Sequence, residues 1–184
     1  LLMKKVLLSS FVVLCMTLTV FAYETIIIKF PEYGNWKKAY YEKRGLEAIV
    51  QYTPSGQSHH DWTETVVVHS YNHSTYPIQT FLTNSITRME KANPTGEYKY
   101  RRLTNNDGIV TRCTYAYNNI PSQCEIFRGT MVHGGIVSVH YINKNKRDFM
   151  ANYDEWYNII KNAKYYNSYY RDDRILDKAE FFEL

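Results

Sequence analysis

Residues 98–117 read YKYRRLTNNDGIVTRCTYAY, and this stretch decides the fold. Two strands are predicted here, Tyr98–Thr104 and Ile109–Tyr117. The link between them ends in Asp107-Gly108, and an Asp-Gly pair between such runs is a strong signal for a hairpin turn. The two strands and their short link therefore predict antiparallel pairing.

The next residues supply a second turn and two cysteines that flank it. Asn118–Ser122 is predicted to be the turn, and a third strand follows at Gln123–Thr130. Cys113 and Cys124 are nearly equidistant from the middle of this turn, so they would face each other across the hairpin. We therefore predict a disulfide, which the chain-entropy model values at roughly 3 kcal/mol. The alternative is a reactive dithiol, although redox motifs keep their cysteines two residues apart.

Patterns elsewhere in the chain add more strands and helices. The further predicted strands are Tyr23–Phe30, Trp36–Glu42, Leu46–Thr53, Thr63–Ser70 and Ile136–Asn143, with a turn at His133-Gly134-Gly135. Three helices are predicted: one that begins at Pro77 and is stopped by Asn93-Pro94-Thr95-Gly96, one over Tyr153–Tyr166, and a short one over Arg174–Phe182. A helix over Trp36–Arg44 is the alternative to the strand there. Because strands come in runs rather than alternating with helices, we predict an α+β domain with an antiparallel sheet of about six to eight strands and helices packed on it.

Two of these helices show an apolar stripe at helical spacing. The stripe of the first helix is Ile78, Phe81, Leu82, Ile86 and Met89, and that of the second is Trp156, Ile159, Ile160 and Ala163. We expect both stripes to pack on the sheet.

The first 22 residues have the layout of a secretory signal peptide. Lys4 and Lys5 precede the uncharged, largely apolar run Val6–Val20, and Ala22 is the expected cleavage site. The alternatives are a short membrane anchor and lipidation of Cys15. Cleavage would leave residues 23–184 as a single domain without a membrane span, placed in the periplasm or outside the cell.

The charge of the chain argues against nucleic-acid binding. The full sequence carries +4, and loss of Lys4 and Lys5 with the signal lowers this to about +2. The basic residues are scattered, with Arg101-Arg102 and Lys144–Arg147 as the only tight groups, and both are expected to be solvated. Tyrosine is abundant, at 18 residues, which fits either a recognition surface or merely a compositional bias.

A stretch in the middle of the chain resembles small exported bacterial proteins of uncharacterised function. Their pattern is Tyr-x-Pro-x-Gly-Gln, a few polar residues, then Trp-Thr-Glu and a strand. The matching residues here are Tyr52, Pro54, Gly56, Gln57, Trp62, Thr63 and Glu64. The resemblance implies a PsbP/Mog1-like fold, an α/β/α sandwich, and carries over no catalytic residues. Read by itself, Trp62 would anchor the loop, and Glu64 would accept hydrogen bonds from loop amides or belong to a ligand site.

The candidate ligand or metal residues are histidines and carboxylates within this motif and just after it. They are His59, His60, Asp61, Glu64, His69 and His73. These residue types suit zinc, but their spacing matches no known zinc motif, and solvated loop histidines are the simpler interpretation.

We therefore expect a non-enzymatic exported bacterial protein that binds an unknown protein or small molecule without a cofactor. A secreted virulence factor is one form of this hypothesis. The alternative is a metal-dependent or carboxylate hydrolase that uses the His59–His73 region. No nucleophile elbow or phosphate-binding loop is present in the sequence.

Overall fold

The computed structural model of the protein describes residues 24–72, 74–132 and 135–167. The predictions that lie outside these residues are the signal segment 1–22, the ligand candidate His73, the turn residues His133 and Gly134, and the helix Arg174–Phe182.

Nine strands and three helices make up the described chain. The strands are β1 (Glu24–Ile27), β2 (Lys37–Arg44), β3 (Glu47–Thr53), β4 (Glu64–Asn72), β5 (Glu97–Thr104), β6 (Asp107–Thr114), β7 (Gln123–Val132), β8 (Gly135–Asn143) and β9 (Lys164–Asn167). The helices are α1 (Ile78–Ala92), α2 (Lys146–Ala151) and α3 (Tyr153–Asn162). Seven strands form one antiparallel sheet in the order β2-β3-β4-β8-β7-β6-β5, and β1 pairs with β9 separately. This confirms the α+β class and the antiparallel sheet.

Helix α1 packs on one face of the large sheet, which we call the α1 face. Leu82 shares a buried cluster with Val110 of β6 and Phe127 of β7. Two glycines allow this close approach, since a Cβ on Gly108 would lie 2.6 Å from one Leu82 methyl carbon and a Cβ on Gly129 would lie 3.0 Å from the other. All five residues of the predicted stripe belong to or pack against this cluster, which confirms the stripe.

The opposite face packs against α2 and α3. Trp156 of α3 and Phe149 of α2 are fully buried beside Tyr141 of β8. The rings of Trp156 and Tyr141 stack with centroids 4.0 Å apart. The large sheet therefore carries helices on both faces.

The first hairpin turn lies two residues earlier than the Asp-Gly pair predicted. Asp107 is the first residue of β6 and pairs with Thr104, so Asn105 and Asn106 form the turn. The physical reason is Arg128 of β7, whose Nε donates to Asp107 Oδ1 at 2.8 Å. Asp107 is buried by this ion pair and is unavailable for a solvated turn.

The predicted helix Tyr153–Tyr166 is too long, because α3 ends at Asn162 and a strand follows. The same Arg128 guanidinium donates from Nη1 to the carbonyls of Lys161, at 2.8 Å, and Ala163, at 2.7 Å. These bonds satisfy carbonyls at the end of the helix, where no further turn accepts them. The chain then enters β9, which pairs with β1.

The hairpin predicted for Trp36–Glu42 and Leu46–Thr53 is confirmed over the helical alternative. Lys37–Arg44 is strand β2, and the turn that joins it to β3 contains Gly45 at φ +59°. The predicted loop Lys144–Arg147 contains the start of α2, which Asn145 caps by accepting hydrogen bonds from two backbone N–H groups.

No helix among the described residues is long and apolar enough to cross a bilayer.

Candidate functional site

Gln57 fixes the loop that carries three of the predicted ligand residues. Its side-chain Nε2 donates to Thr63 Oγ1 at 3.0 Å, and its Oε1 accepts from the Thr63 backbone N–H at 2.7 Å. Within the loop, the Ser58 N–H donates to the Asp61 carbonyl at 2.9 Å. These bonds give Gln57 and Thr63 of the resemblance pattern a structural role.

His59 packs against a strand rather than pointing into a pocket. Its ring stacks on Tyr40 of β2 with centroids 5.0 Å apart and an angle of 15° between the planes. His60 contacts His59 at a centroid distance of 3.5 Å, while His60 and Asp61 are both exposed. Trp62, predicted to anchor this loop, lies beneath the Lys144 ammonium at 3.9 Å.

Glu64 faces the opposite side of the sheet from His69. The two residues lie five positions apart in β4, and alternate strand positions point to opposite faces. Glu64 accepts a hydrogen bond from the Tyr141 hydroxyl at 2.9 Å, so its partner is a phenol and not the predicted loop amides. Burial raises the pKa of Glu64 above its ordinary value, although the Tyr141 hydrogen bond opposes this shift.

Among the described residues, the predicted metal ligands therefore do not form one cluster. His59, His60 and Asp61 lie in a surface loop, whereas Glu64 and His69 lie on opposite faces of β4. Within residues 24–72, 74–132 and 135–167, no group of three His, Cys, Asp or Glu side chains is placed to hold a metal ion.

A different polar cluster crosses the α1 face on three neighbouring strands. Glu125 of β7 forms an ion pair with Arg112 of β6, and its other carboxylate oxygen lies 2.5 Å from Nδ1 of His140 on β8. Nε2 of His140 lies 2.8 Å from Ser138 Oγ. The strand register creates this chain of contacts, because Arg112 pairs with Glu125 and the next strand places His140 beside Phe127.

Glu125 stays charged although its side chain is almost wholly buried, at 2% exposed. Burial alone would raise the pKa of this carboxyl, but the hydrogen bond with His140 and the Arg112 charge outweigh burial and lower it. A buried carboxylate with two cationic or donor partners is satisfied in the way that charged groups in protein interiors require.

His69 extends this cluster onto β4. It pairs in register with Ser138, contacts the Tyr71 ring with centroids 3.9 Å apart and the planes tilted by 33°, and lies 3.6 Å from a Glu47 carboxylate oxygen. Burial lowers the pKa of His69, and the nearby His140 lowers it further, against the opposing effect of Glu47.

Ser138, His140 and Glu125 have the connectivity of a hydrolase triad. A nucleophile must also be reachable by substrate, however, and Ser138 has no exposed surface. Gly129, its register partner on β7, lies against Leu82 of α1. These side chains therefore form a buried polar network that links three strands, with the half-buried His140 ring at its edge.

A second candidate site is the disulfide-closed loop, residues 114–123. Cys113 and Cys124 are disulfide-bonded, which confirms the prediction from their spacing. The loop contains no charged residue, yet it exposes three large side chains: Tyr115 at 44%, Tyr117 at 37% and Ile120 at 39%.

The disulfide-closed loop has a defined conformation. Tyr117 and Ile120 exchange both backbone hydrogen bonds, at 3.0 and 2.9 Å, around Asn118 and Asn119. Both asparagines have left-handed φ values, 45° and 64°, as a tight hairpin turn of the primed type requires. The base is tied down where the Tyr115 carbonyl accepts from Asn93 Nδ2 at 2.7 Å.

The polar network was not predicted from the sequence, although part of its signal is present there. The predicted Cys113–Cys124 pairing places the preceding and following residues, Arg112 and Glu125, opposite each other. An Arg–Glu pair one step from a cross-strand disulfide is visible in the sequence. The contribution of His140 depends on the register between β7 and β8, which the predicted turn between them does not fix by itself.

No protein-family model and no curated protein matches the chain.

Proposed function

We propose that this is an exported bacterial protein that acts by binding a protein partner, with the disulfide-closed loop as its binding element. The observation that carries the proposal is the exposure of Tyr115, Tyr117 and Ile120 on a short, uncharged loop held by a disulfide and a tight turn. Aromatic anchors dominate the energy of many protein interfaces, and a loop that is already ordered loses little entropy on binding.

Export is supported by the oxidised cysteine pair and by the signal-like start of the sequence. Disulfides persist in oxidising compartments and are rare in the cytosol. Secretion toward a host, as a virulence factor, is one form of this proposal. The seven-stranded sheet with helices on both faces supports an α/β/α architecture of the PsbP/Mog1 kind.

Site-specific photo-crosslinking in the producing cells tests the binding proposal. A benzophenone amino acid replaces Tyr117, and in a matched control it replaces Tyr76. Tyr76 is 65% exposed and follows the C-terminal end of β4, at the opposite end of the sheet from the disulfide-closed loop. We expect a discrete cross-linked product from position 117 and none from position 76. The additional change Ile120→Ala should reduce the yield at 117 severalfold, because it removes the neighbouring apolar contact.

Equal products from positions 117 and 76 would contradict the choice of this loop. Metal analysis of the purified protein tests the hydrolase alternative. We expect no stoichiometric zinc. One zinc per chain that is lost in the variants His59→Ala, His60→Ala and His69→Ala would replace the binding proposal with a metal-dependent activity.

A further inference from the structure

Strand β5 is an open edge of the seven-stranded sheet. It pairs with β6 on one side, and on its other side no strand of the described residues lies against it. Six of its eight residues are exposed, and only Tyr98 and Leu103 are half-buried. Alternate residues of such a strand direct their backbone N–H and carbonyl groups away from the sheet. These groups can therefore pair with a further extended chain.

This edge carries three cationic side chains within four positions, namely Lys99, Arg101 and Arg102. No acidic side chain in the described part of the chain forms an ion pair with them. Two of them are held by uncharged groups instead. Arg101 Nη1 donates to the Tyr157 hydroxyl at 3.4 Å, and Arg102 Nε donates to the Thr104 carbonyl at 3.2 Å. The edge therefore presents positive charge that a partner can neutralise.

The side chains of β5 differ between the two faces of the sheet, because alternate positions point to opposite sides. Lys99 and Arg101 lie on the face that carries α2 and α3. Tyr98 and Tyr100 lie on the α1 face, where the Tyr100 hydroxyl donates to the Gln79 side chain of α1. A strand that pairs with β5 would thus meet cations on one face and aromatic rings on the other.

The opposite edge of the sheet, β2, is less suited to accept a strand. Its pairing with β3 is interrupted by a register shift between Lys38 and Tyr40, and bulges of this kind protect sheet edges. Arg44 of β2 forms an ion pair with Glu42, so part of its charge is already neutralised. By contrast, β5 keeps one continuous register with β6 over residues 97–102.

We propose that β5 binds an acidic peptide segment of another protein, which adds to the large sheet as an eighth strand. Backbone hydrogen bonds supply the affinity, and side chains at alternate positions supply the specificity. Acidic residues at every second position face Lys99 and Arg101. The apolar residues between them pack on the Tyr98 and Tyr100 rings. The same cations that repel the β5 edge of a second copy attract this partner.

The acidic peptide acetyl-GEVEVEG-amide is the probe that tests this proposal on the full protein. Fluorescence anisotropy of the labelled peptide measures its affinity, and nuclear magnetic resonance locates it through the backbone amide signals of the protein. We expect saturable binding that shifts the amide signals of β5 and slows their hydrogen exchange.

Two control peptides carry N-methyl groups, one on its valines and the other on its glutamates. Both keep every side chain and every charge of the probe. Alternate amides of an added strand point toward β5, so methylation of one set should weaken binding roughly tenfold and methylation of the other should leave it unchanged.

Matched protein variants then locate the site. Lys99→Gln with Arg101→Gln should weaken the peptide roughly fivefold, since each exposed ion pair contributes modestly. Arg88→Gln with Lys91→Gln, at exposed positions of α1, removes the same charge and should leave the affinity unchanged. Ile120→Ala, in the disulfide-closed loop, should also leave it unchanged. The peptide experiment and the photo-crosslinking experiment can therefore fail separately.

Three results would overturn the proposal. Equal affinities of the probe and both methylated peptides would show that the cations attract any acidic chain without strand pairing. Absence of binding at millimolar peptide, or shifts confined to residues outside β5, would exclude this edge as the site. A DNA duplex that binds β5 more tightly than the peptide would make a nucleic acid the partner. The wild-type measurements decide these points even if a variant fails to fold.

Discussion

At the scale of single residues, Glu125 determines how the centre of the sheet is held together. Its carboxylate is buried between Arg112 and His140, so three strands share one charge-assisted contact. Such a contact is of modest net value when complete, because both ions lose their water. Removal of one partner is expensive, because the other charge then stays buried and unpaired.

Glu125→Leu should therefore lower the free energy of unfolding by about 3 kcal/mol. The exposed Glu47→Leu, with 59% of its side chain in solvent, should change it by less than about 0.5 kcal/mol. Urea denaturation measures both. The double variant Glu125→Leu with Arg112→Met should be more stable than Glu125→Leu alone, because no buried charge remains unpaired. A double variant that is less stable would show that the ion pair is not what holds these strands.

Acid should weaken the fold in two steps, because the pKa values of His69 and Glu125 are both lowered in the folded state. The unfolded chain binds a proton at His69 below about pH 6.5, before the folded protein does, so stability falls as the pH drops through that value. Glu125 contributes stability above its unfolded pKa of about 4.3, and this is lost at lower pH. Urea midpoints measured from pH 8 to pH 3 should show both steps. His69→Gln should flatten only the step near pH 6, and the exposed His60→Gln should change neither.

At the scale of elements, the β6–β7 hairpin combines two kinds of restraint. The strands pair over eight register positions, from Asp107 with Thr130 to Thr114 with Gln123. The disulfide closes the hairpin one step from its end, so it constrains the exposed loop more than the strands. The sheet and the loop should therefore respond differently when the disulfide is removed.

The double variant Cys113→Ala with Cys124→Ala should have a free energy of unfolding lower by about 2–4 kcal/mol, so that it unfolds at a lower urea concentration. Its sheet content should be retained at low temperature. Circular dichroism and urea denaturation measure the two effects. The variant should also be insensitive to reductant, whereas the wild-type protein should lose the same stability when it is reduced. Complete loss of structure in the variant would mean that strand pairing alone cannot hold this hairpin.

At the scale of the whole molecule, the strands and their hairpins could be predicted because their signals are local. The Cys113–Cys124 pairing followed from turn position alone. The end of α3 could not be found in this way, since it depends on Arg128, which reaches across from β7. The polar network around Glu125 likewise needs one particular register between β7 and β8, which the predicted turn between these strands does not fix by itself.

The two edges of the large sheet share a property that bears on self-association. The exposed edge strand β2 carries Lys37, Lys38, Lys43 and Arg44, and β5 carries Lys99, Arg101 and Arg102. Cations on an edge discourage pairing with a second chain. The positively charged edge strands of two molecules therefore repel each other.

Lys99→Thr together with Arg101→Thr should increase self-association, measured by sedimentation at high protein concentration. A matched control makes the same change at Arg88 and Lys91, exposed residues of α1, and removes the same amount of charge. If both double variants associate equally, the effect comes from net charge and not from the strand edge.

The pairing of β4 with β8 joins residues 64–72 to residues 135–143. Contacts between such distant segments form slowly, because a long loop must close before any hydrogen bond is gained. While the chain is being made, β4 has β3 but lacks its inner neighbour until residue 143 has left the ribosome. A protein that must be threaded through a membrane pore has to remain unfolded until it arrives. The strand order of this sheet thus delays completion of the fold, as the export proposed above would require.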